Sequence, residues 1–297
     1  MARIIILSIL FVISLISCTN KQKTFYDNGN IKEEYWVKNN KKNGIYKTYY
    51  KNGNIKEQHI FELDKKIDSS LVFYHKHPNV IKEKTKYIKD NDTLHISVYY
   101  TNGVLYNHGK VLPNGNKYGW WELYTYKGEL EGELEYLDID NSEYLNRTMF
   151  YNSNGFINSE KSNYYLLHVD KDTVKINESL KITIELKEPF FSYNSDCFVI
   201  KPSPKSKPFY ETFSNLASVE LDTTRSINKD LNIQQETIPN DIATNRIFVF
   251  GLRYSTLGVK NIRGIIVELE SNDNKPMSDC KDCMRYLYFD KTIIVVE

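Results

Sequence analysis

The stretch FYDNGNIKEE, Phe25 to Glu34, returns 24 residues later as YYKNGNIKEQ, Tyr49 to Gln58. A tyrosine holds the same place in each copy. It recurs at Tyr26, Tyr50, Tyr74, Tyr100, Tyr126 and Tyr151, at spacings of 24, 24, 26, 26 and 25 residues. A near-constant period of this length marks an array of supersecondary units that bury their apolar surface against one another. Each unit carries turn chemistry. The pairs Asn28-Gly29, Asn52-Gly53 and Asn102-Gly103 separate alternating segments and suit two-residue hairpin turns of type I′, where both central residues need positive φ. A second turn is expected at Asn43-Gly44, between Trp36-Val37 and Tyr46. Two short strands and two turns account for the period of about 24 residues.

Side-chain parity is kept from copy to copy. On a strand, Ile31, Glu33, Tyr35 and Val37 share one face, and Lys32, Glu34 and Lys38 the other. Ile55, Glu57, His59 and Phe61 follow the first pattern, as do Ile81, Glu83 and Tyr87. A slip of one residue would reverse every side chain, so this agreement predicts one sheet face running through the array. Apolar residues at three- and four-residue steps, which a helix would need, are missing here. The motif Tyr-x-Asn-Gly-x-Ile-Lys, followed by NGIYKTYY in the same period, resembles the bacterial variant of the MORN repeat over residues 25–160. The match is close in the first two copies. It is degenerate in the third, where HKHPNV replaces Asn-Gly, and in the fifth, where only Gly128 remains. The resemblance implies an elongated β-meander of hairpins. Many bacterial members carry an antitoxin label, which implies a small cytosolic partner protein.

The N-terminus supplies an address. Arg3 precedes an apolar run from Ile4 to Ile16, the length of a signal-peptide core and too short to span a bilayer. It ends in Leu15-Ile16-Ser17-Cys18, which resembles the bacterial lipobox. That resemblance implies a signal peptide over 1–17, cleavage before Cys18, a diacylglycerol on Cys18 and a short linker over 18–24. Thr19 follows, with no Asp at that position, which implies an outer-membrane address if the cell is Gram-negative. The expected location is therefore the cell envelope, with the membrane as first partner. Formal net charge is only +1, so no field draws the chain to nucleic acid.

Past residue 160 the period stops. Asp172 to Glu188 alternates Val174, Ile176, Leu180, Ile182, Ile184 and Leu186 around a polar Asn177-Glu178-Ser179 turn. RIFVFGLRY, IRGIIVELE and YLYFDKTIIVVE are further β-type runs, while residues 209–245 are more polar. Strands with turn signals over 161–297 favour a β-sandwich, and VKINESLKITIEL with the Gly258 to Gly264 segment resembles bacterial immunoglobulin-like domains. The fold class expected is all-β: a meander of hairpin repeats, then a sandwich. Cys280 and Cys283 form a CxxC pair and with Cys197 allow a structural disulfide, within the pair or to Cys197. A zinc half-site or a redox pair is the other reading of the same spacing.

Two constellations could carry chemistry. Glu129, Glu131, Glu133 and Glu135 alternate with Leu130, Gly132, Leu134 and Tyr136. On a regular strand the four carboxylates share one face, as a solvated row, a cation site or a glycosidase pair. His75 and His77 stand at a two-residue spacing, in the place where other copies have their turn. Motifs for nucleophile elbows, phosphate loops and zinc proteases do not occur. The expectation is a lipid-anchored, non-enzymatic binding or scaffold protein without catalytic residue, metal or cofactor. It would meet a protein or glycan partner through its repeat sheet, Tyr being abundant at 23 residues and suited to contacts. The alternatives are an antitoxin-like partner protein of the same repeat family and a carboxylate-dependent glycan hydrolase.

Overall fold

The computed structural model describes residues 19–88, 93–191, 195–229, 244–270 and 283–297. These residues are β throughout, with two short 3-10 turns and no α-helix among them. The repeat region contributes β1 (Asn20–Phe25), β2 (Ile31–Lys38), β3 (Lys41–Tyr49), β4 (Ile55–Glu62), β5 (Lys65–Phe73), β6 (Ile81–Tyr87), β7 (Leu94–Tyr99), β8 (Leu105–Val111), β9 (Lys117–Tyr124), β10 (Leu130–Ile139) and β11 (Ser142–Phe150). They form one sheet of eleven strands in chain order. The remaining strands are β12 (Tyr164–Val169), β13 (Thr173–Lys175), β14 (Ser179–Glu188), β15 (Asp196–Pro202), β16 (Leu221–Arg225), β17 (Ile247–Arg253), β18 (Gly258–Leu269) and β19 (Met284–Val296). They build a three-stranded sheet, β12-β14-β17, and a five-stranded sheet, β13-β19-β18-β15-β16. Spatially the chain divides into one unit of Met1–Asn91 with Val98–Gly103 and a second of Asp92–Ser97 with Val104–Glu297.

The hairpins use two kinds of turn: three Asn-Gly dipeptides mark turns as expected but of another type, and the fourth is not a turn. At Asn28-Gly29 only the glycine has positive φ, +83°. Gly29 N–H donates to Tyr26 O at 2.9 Å, and Tyr26 N–H donates to Asn30 O at 2.8 Å. This is a three-residue loop, a type I turn ending in a left-handed glycine, rather than type I′. Asn52-Gly53 and Asn102-Gly103 repeat it, with φ of +88° and +84° at the glycines. The asparagine contributes its side chain: Asn28 Oδ1 accepts from Asn30 N–H at 3.2 Å, and Asn52 Oδ1 from Asn54 N–H at 3.1 Å. Type I′ geometry occurs at the other ends of hairpins, at Asn39-Asn40 (φ +52° and +59°), Leu63-Asp64 (+49° and +70°) and Asp140-Asn141 (+50° and +62°). The expected turn at Asn43-Gly44 is thus displaced to Asn39-Asn40. Gly44 lies inside β3 with φ +101°, where the pairing shifts between Tyr35↔Tyr46 and Val37↔Lys42. An inserted residue with positive φ is a bulge, which glycine accommodates without strain.

The recurring tyrosine stitches one hairpin to the next. Tyr26 donates its hydroxyl to Tyr49 O at 2.6 Å, Tyr50 to Phe73 O at 2.9 Å, and Tyr74 to Tyr99 O at 2.6 Å. Each ring therefore satisfies a backbone carbonyl about one period ahead. Between these points one face carries a column of directly paired residues: Tyr35↔Tyr46, Tyr46↔His59, His59↔Ser70 and Ser70↔Thr85. Paired residues on neighbouring strands point to the same side, so the parity expected from the repeat holds across these strands.

In the second unit the three- and five-stranded sheets pack face to face. Leu180, Ile182 and Ile184 of β14 meet Val199, Ile266, Leu287 and Phe289, all buried. Alternation along β14, which was expected, places these aliphatics inward, and each contributes about 1.5–3 kcal/mol by leaving water. A second cluster joins β10 and β11 to this body: Leu137, Ile139 and Tyr144 pack against Phe209, Phe213 and Tyr288. Polar bonds fix the junction. Fully buried Asn146 donates to Tyr288 O at 2.9 Å and accepts from Tyr288 N–H at 2.8 Å, as a strand residue would. Arg285 donates to Tyr144 Oη and to the carbonyls of Leu145 and Asn146 at 2.6–2.8 Å.

Candidate binding surface

The column face of the first unit holds a hydrogen-bonded chain that sequence reading missed, because its members lie on different strands. Ser70 Oγ is 2.8 Å from His59 Nδ1 and 3.1 Å from Tyr87 Oη, and His59 Nε2 is 3.3 Å from Glu57 Oε2. Serine, histidine and carboxylate in series resemble a nucleophile relay. Here, however, Ser70 and His59 are both buried, and the serine oxygen is shared with a tyrosine hydroxyl. Burial lowers the His59 pKa against the pull of Glu57, which favours the neutral ring, and the bonds on both its nitrogens make it a core polar link. Beside it Tyr46 is flanked by Tyr35, His59 and Phe61 at centroid distances of 5.6–5.8 Å. Lys42 sits over three of these rings, 4.5 Å from that of Tyr46, a cation–π arrangement. Burial pushes the Tyr46 phenol up to about 12.

The opposite face is different. Ile45 pairs with Ile60, and Ile60 with Ile67. Trp36, next to Tyr35 in β2, falls on this same face by alternation, and its Cβ is 3.7 Å from where a Cβ on Gly44 would lie. The result is an apolar row across β2 to β5. Its Trp36 and Ile45 are 40% and 45% exposed, and Ile60 and Ile67 are half-buried. Polar groups flank it: Lys21 pairs with Glu34 at 2.8 Å, and Tyr49 donates to Glu34 at 2.7 Å. These two bonds outweigh partial burial and hold the Glu34 pKa below the ordinary carboxylate value. NGIYKTY at residues 43–49 corresponds to YGWWELY at 118–124, so Ile45 corresponds to Trp120. In the second unit that position is again exposed, at 39%, and a cation of its own sheet covers it. Arg147 stacks on Trp120 at 4.8 Å and on Tyr165 of β12 at 4.6 Å.

The glutamate row does not stay a row. Glu129 precedes β10, and the pairing of β10 with β9 shifts between Leu130 and Gly132, which leaves Glu131 unpaired. Glu133 accepts the Tyr151 hydroxyl. Glu135 is gripped by Arg147 through Nε at 2.5 Å and Nη2 at 2.7 Å, and it accepts from Asn146 at 2.7 Å. Such a forked pair is strong and directional. His75 and His77 lie in the loop between β5 and β6, edge-on to Tyr50 and Tyr74 respectively. Among the described residues no cluster of three His, Cys, Asp or Glu could hold a metal ion. Cys197 is a buried free thiol whose pKa burial pushes up to about 12, so the pairing of Cys197 with the CxxC is not formed. Cys283 is disulfide-bonded. Cys18 and Cys280 lie outside the described residues. No family model matches the chain, and no curated protein matches its sequence.

Proposed function

We propose that the protein is a lipid-anchored cell-envelope protein that acts as a non-enzymatic binding module through its repeat sheet. In this reading the hairpins are MORN-like repeats, the C-terminal sheets form an immunoglobulin-like sandwich, and Cys18 carries the diacylglycerol. The observation that carries it is the open row Trp36–Ile45–Ile60–Ile67, an apolar strip with polar flanks. Interface hot spots have this character, with aromatic anchors at the centre and a hydrated rim. The groups that resemble catalytic ones point the same way: His59, Ser70, Glu133 and Glu135 are all taken up in internal bonds. The test is cross-linking and capture from envelope membranes with the full chain and with a Trp36→Ser/Ile45→Ser variant. A partner held through this row should bind the variant about 30-fold more weakly, as expected for loss of a hot spot. Equal capture by both chains refutes the surface. Palmitate labelling that persists in Cys18→Ser refutes the anchor.

A further inference from the structure

The second unit contains a cavity of about 430 Å3 between β17 of the smaller sheet and β15 and β18 of the larger. Its walls are apolar: Phe209, Phe250, Leu252, Val259 and Ile262. Val259 at the lip is 67% exposed, so the apolar lining reaches solvent and a ligand could enter. The charged groups lining it have one sign. Lys201, Lys260 and Arg263 are present, and no carboxylate among the described residues lines it. Two of these cations are already neutralised, Lys201 by Asp222 and Arg263 by Asp290 at 2.7 Å. Lys260 is not: its ammonium donates to Thr256 Oγ1 at 2.7 Å and forms no ion pair among the described residues. Tyr254, whose pKa is raised by burial, also lines the cavity, and its hydroxyl has no partner among the described residues.

A chamber of this size that combines an apolar wall with polar groups, here including Ser206 and Asn261, is the usual form of a small-molecule site. One uncompensated cation and one unpaired hydroxyl at its edge call for a ligand with an apolar body and a single anionic head. The geometry points to a binding site for a fatty-acid carboxylate. The hydrocarbon would lie against Phe250, Leu252 and Ile262, and the carboxylate would meet Lys260 and the Tyr254 hydroxyl. This site is separate from the sheet surface proposed above. The Trp36→Ser/Ile45→Ser variant should therefore bind the fatty acid as the wild type does, whatever becomes of the partner.

Isothermal titration of the full chain with decanoate, decanol and decyltrimethylammonium tests the assignment. Decanoate should bind at one site per chain, and the neutral and cationic homologues at least about tenfold more weakly. Lys260→Glu should weaken decanoate about tenfold. Val259→Trp, at an exposed position that folding tolerates, should fill the entrance and abolish binding with the circular dichroism spectrum unchanged. Flotation of the Cys18→Ser chain, which has no acyl anchor of its own, with phosphatidylglycerol vesicles separates the two sources of the same chemistry. Binding lost in both variants assigns the acyl chain to a membrane lipid, and decanoate binding without flotation assigns it to a free acid. Equal affinity for the three homologues, or decanoate binding that survives Val259→Trp, overturns the proposal.

Discussion

Gly109→Ala puts the packing of the repeat sheet to the sharpest test. Gly109 lies in β8 under the ring of Trp121, and a Cβ built there would sit 2.4 Å from Cγ and Cδ2 and 2.5 Å from Cδ1. Atoms do not approach so closely, and the obstacle is a buried indole, 4% exposed, not the end of a flexible chain. The ring must therefore move. Doing so strains a filled core, which costs about 1–3 kcal/mol. It also breaks the bond from Trp121 Nε1–H to Lys110 O, 3.0 Å long, which costs about 1 kcal/mol. The expected loss is about 2–4 kcal/mol, a sizeable share of the 5–15 kcal/mol that holds a typical fold. Urea unfolding followed by tryptophan fluorescence should show a lower midpoint at unchanged slope, and the melting temperature should fall by roughly 5–15 °C. In a Trp121→Leu background the same glycine change should cost less than about 1 kcal/mol, because the clash has gone and the two sites are coupled. A single-variant loss below about 1 kcal/mol, or the same loss in both backgrounds, refutes the explanation.

Two further outcomes follow from the first unit. Tyr50→Phe removes the hydroxyl that caps Phe73 O and should cost about 1 kcal/mol, read by denaturant unfolding; a neutral effect would show that the stitching hydroxyls do not stabilise the array. His59 has its pKa lowered by burial, so the unfolded chain takes up the proton first as pH falls. Its contribution is complete above the unfolded value of about 6.5 and is lost progressively below it. His59→Gln should therefore flatten the stability profile below about pH 6.5, and an unchanged profile in that variant would exclude His59 as the source.

What the sequence determined by itself was the local grammar. The period, the strand–turn alternation and the shared face of Tyr35, His59 and Glu57 could be read directly, because side chains alternate with a period of two and glycine marks positive φ. The inward aliphatics of β14 were legible for the same reason. Choices between equally good local signals were not. Asn39-Asn40 and Asn43-Gly44 can both adopt the left-handed conformation, and only the Tyr35↔Tyr46 register makes the first a turn and the second a bulge. Nor does any local pattern show that Gly109 leaves room for Trp121, or that Arg147 takes Glu135 out of its row. The order β13-β19-β18-β15-β16 likewise joins segments far apart in the chain. Such pairings are selected by the burial of the whole second unit, since only the assembled sheets remove Leu180, Ile266 and Phe289 from water together.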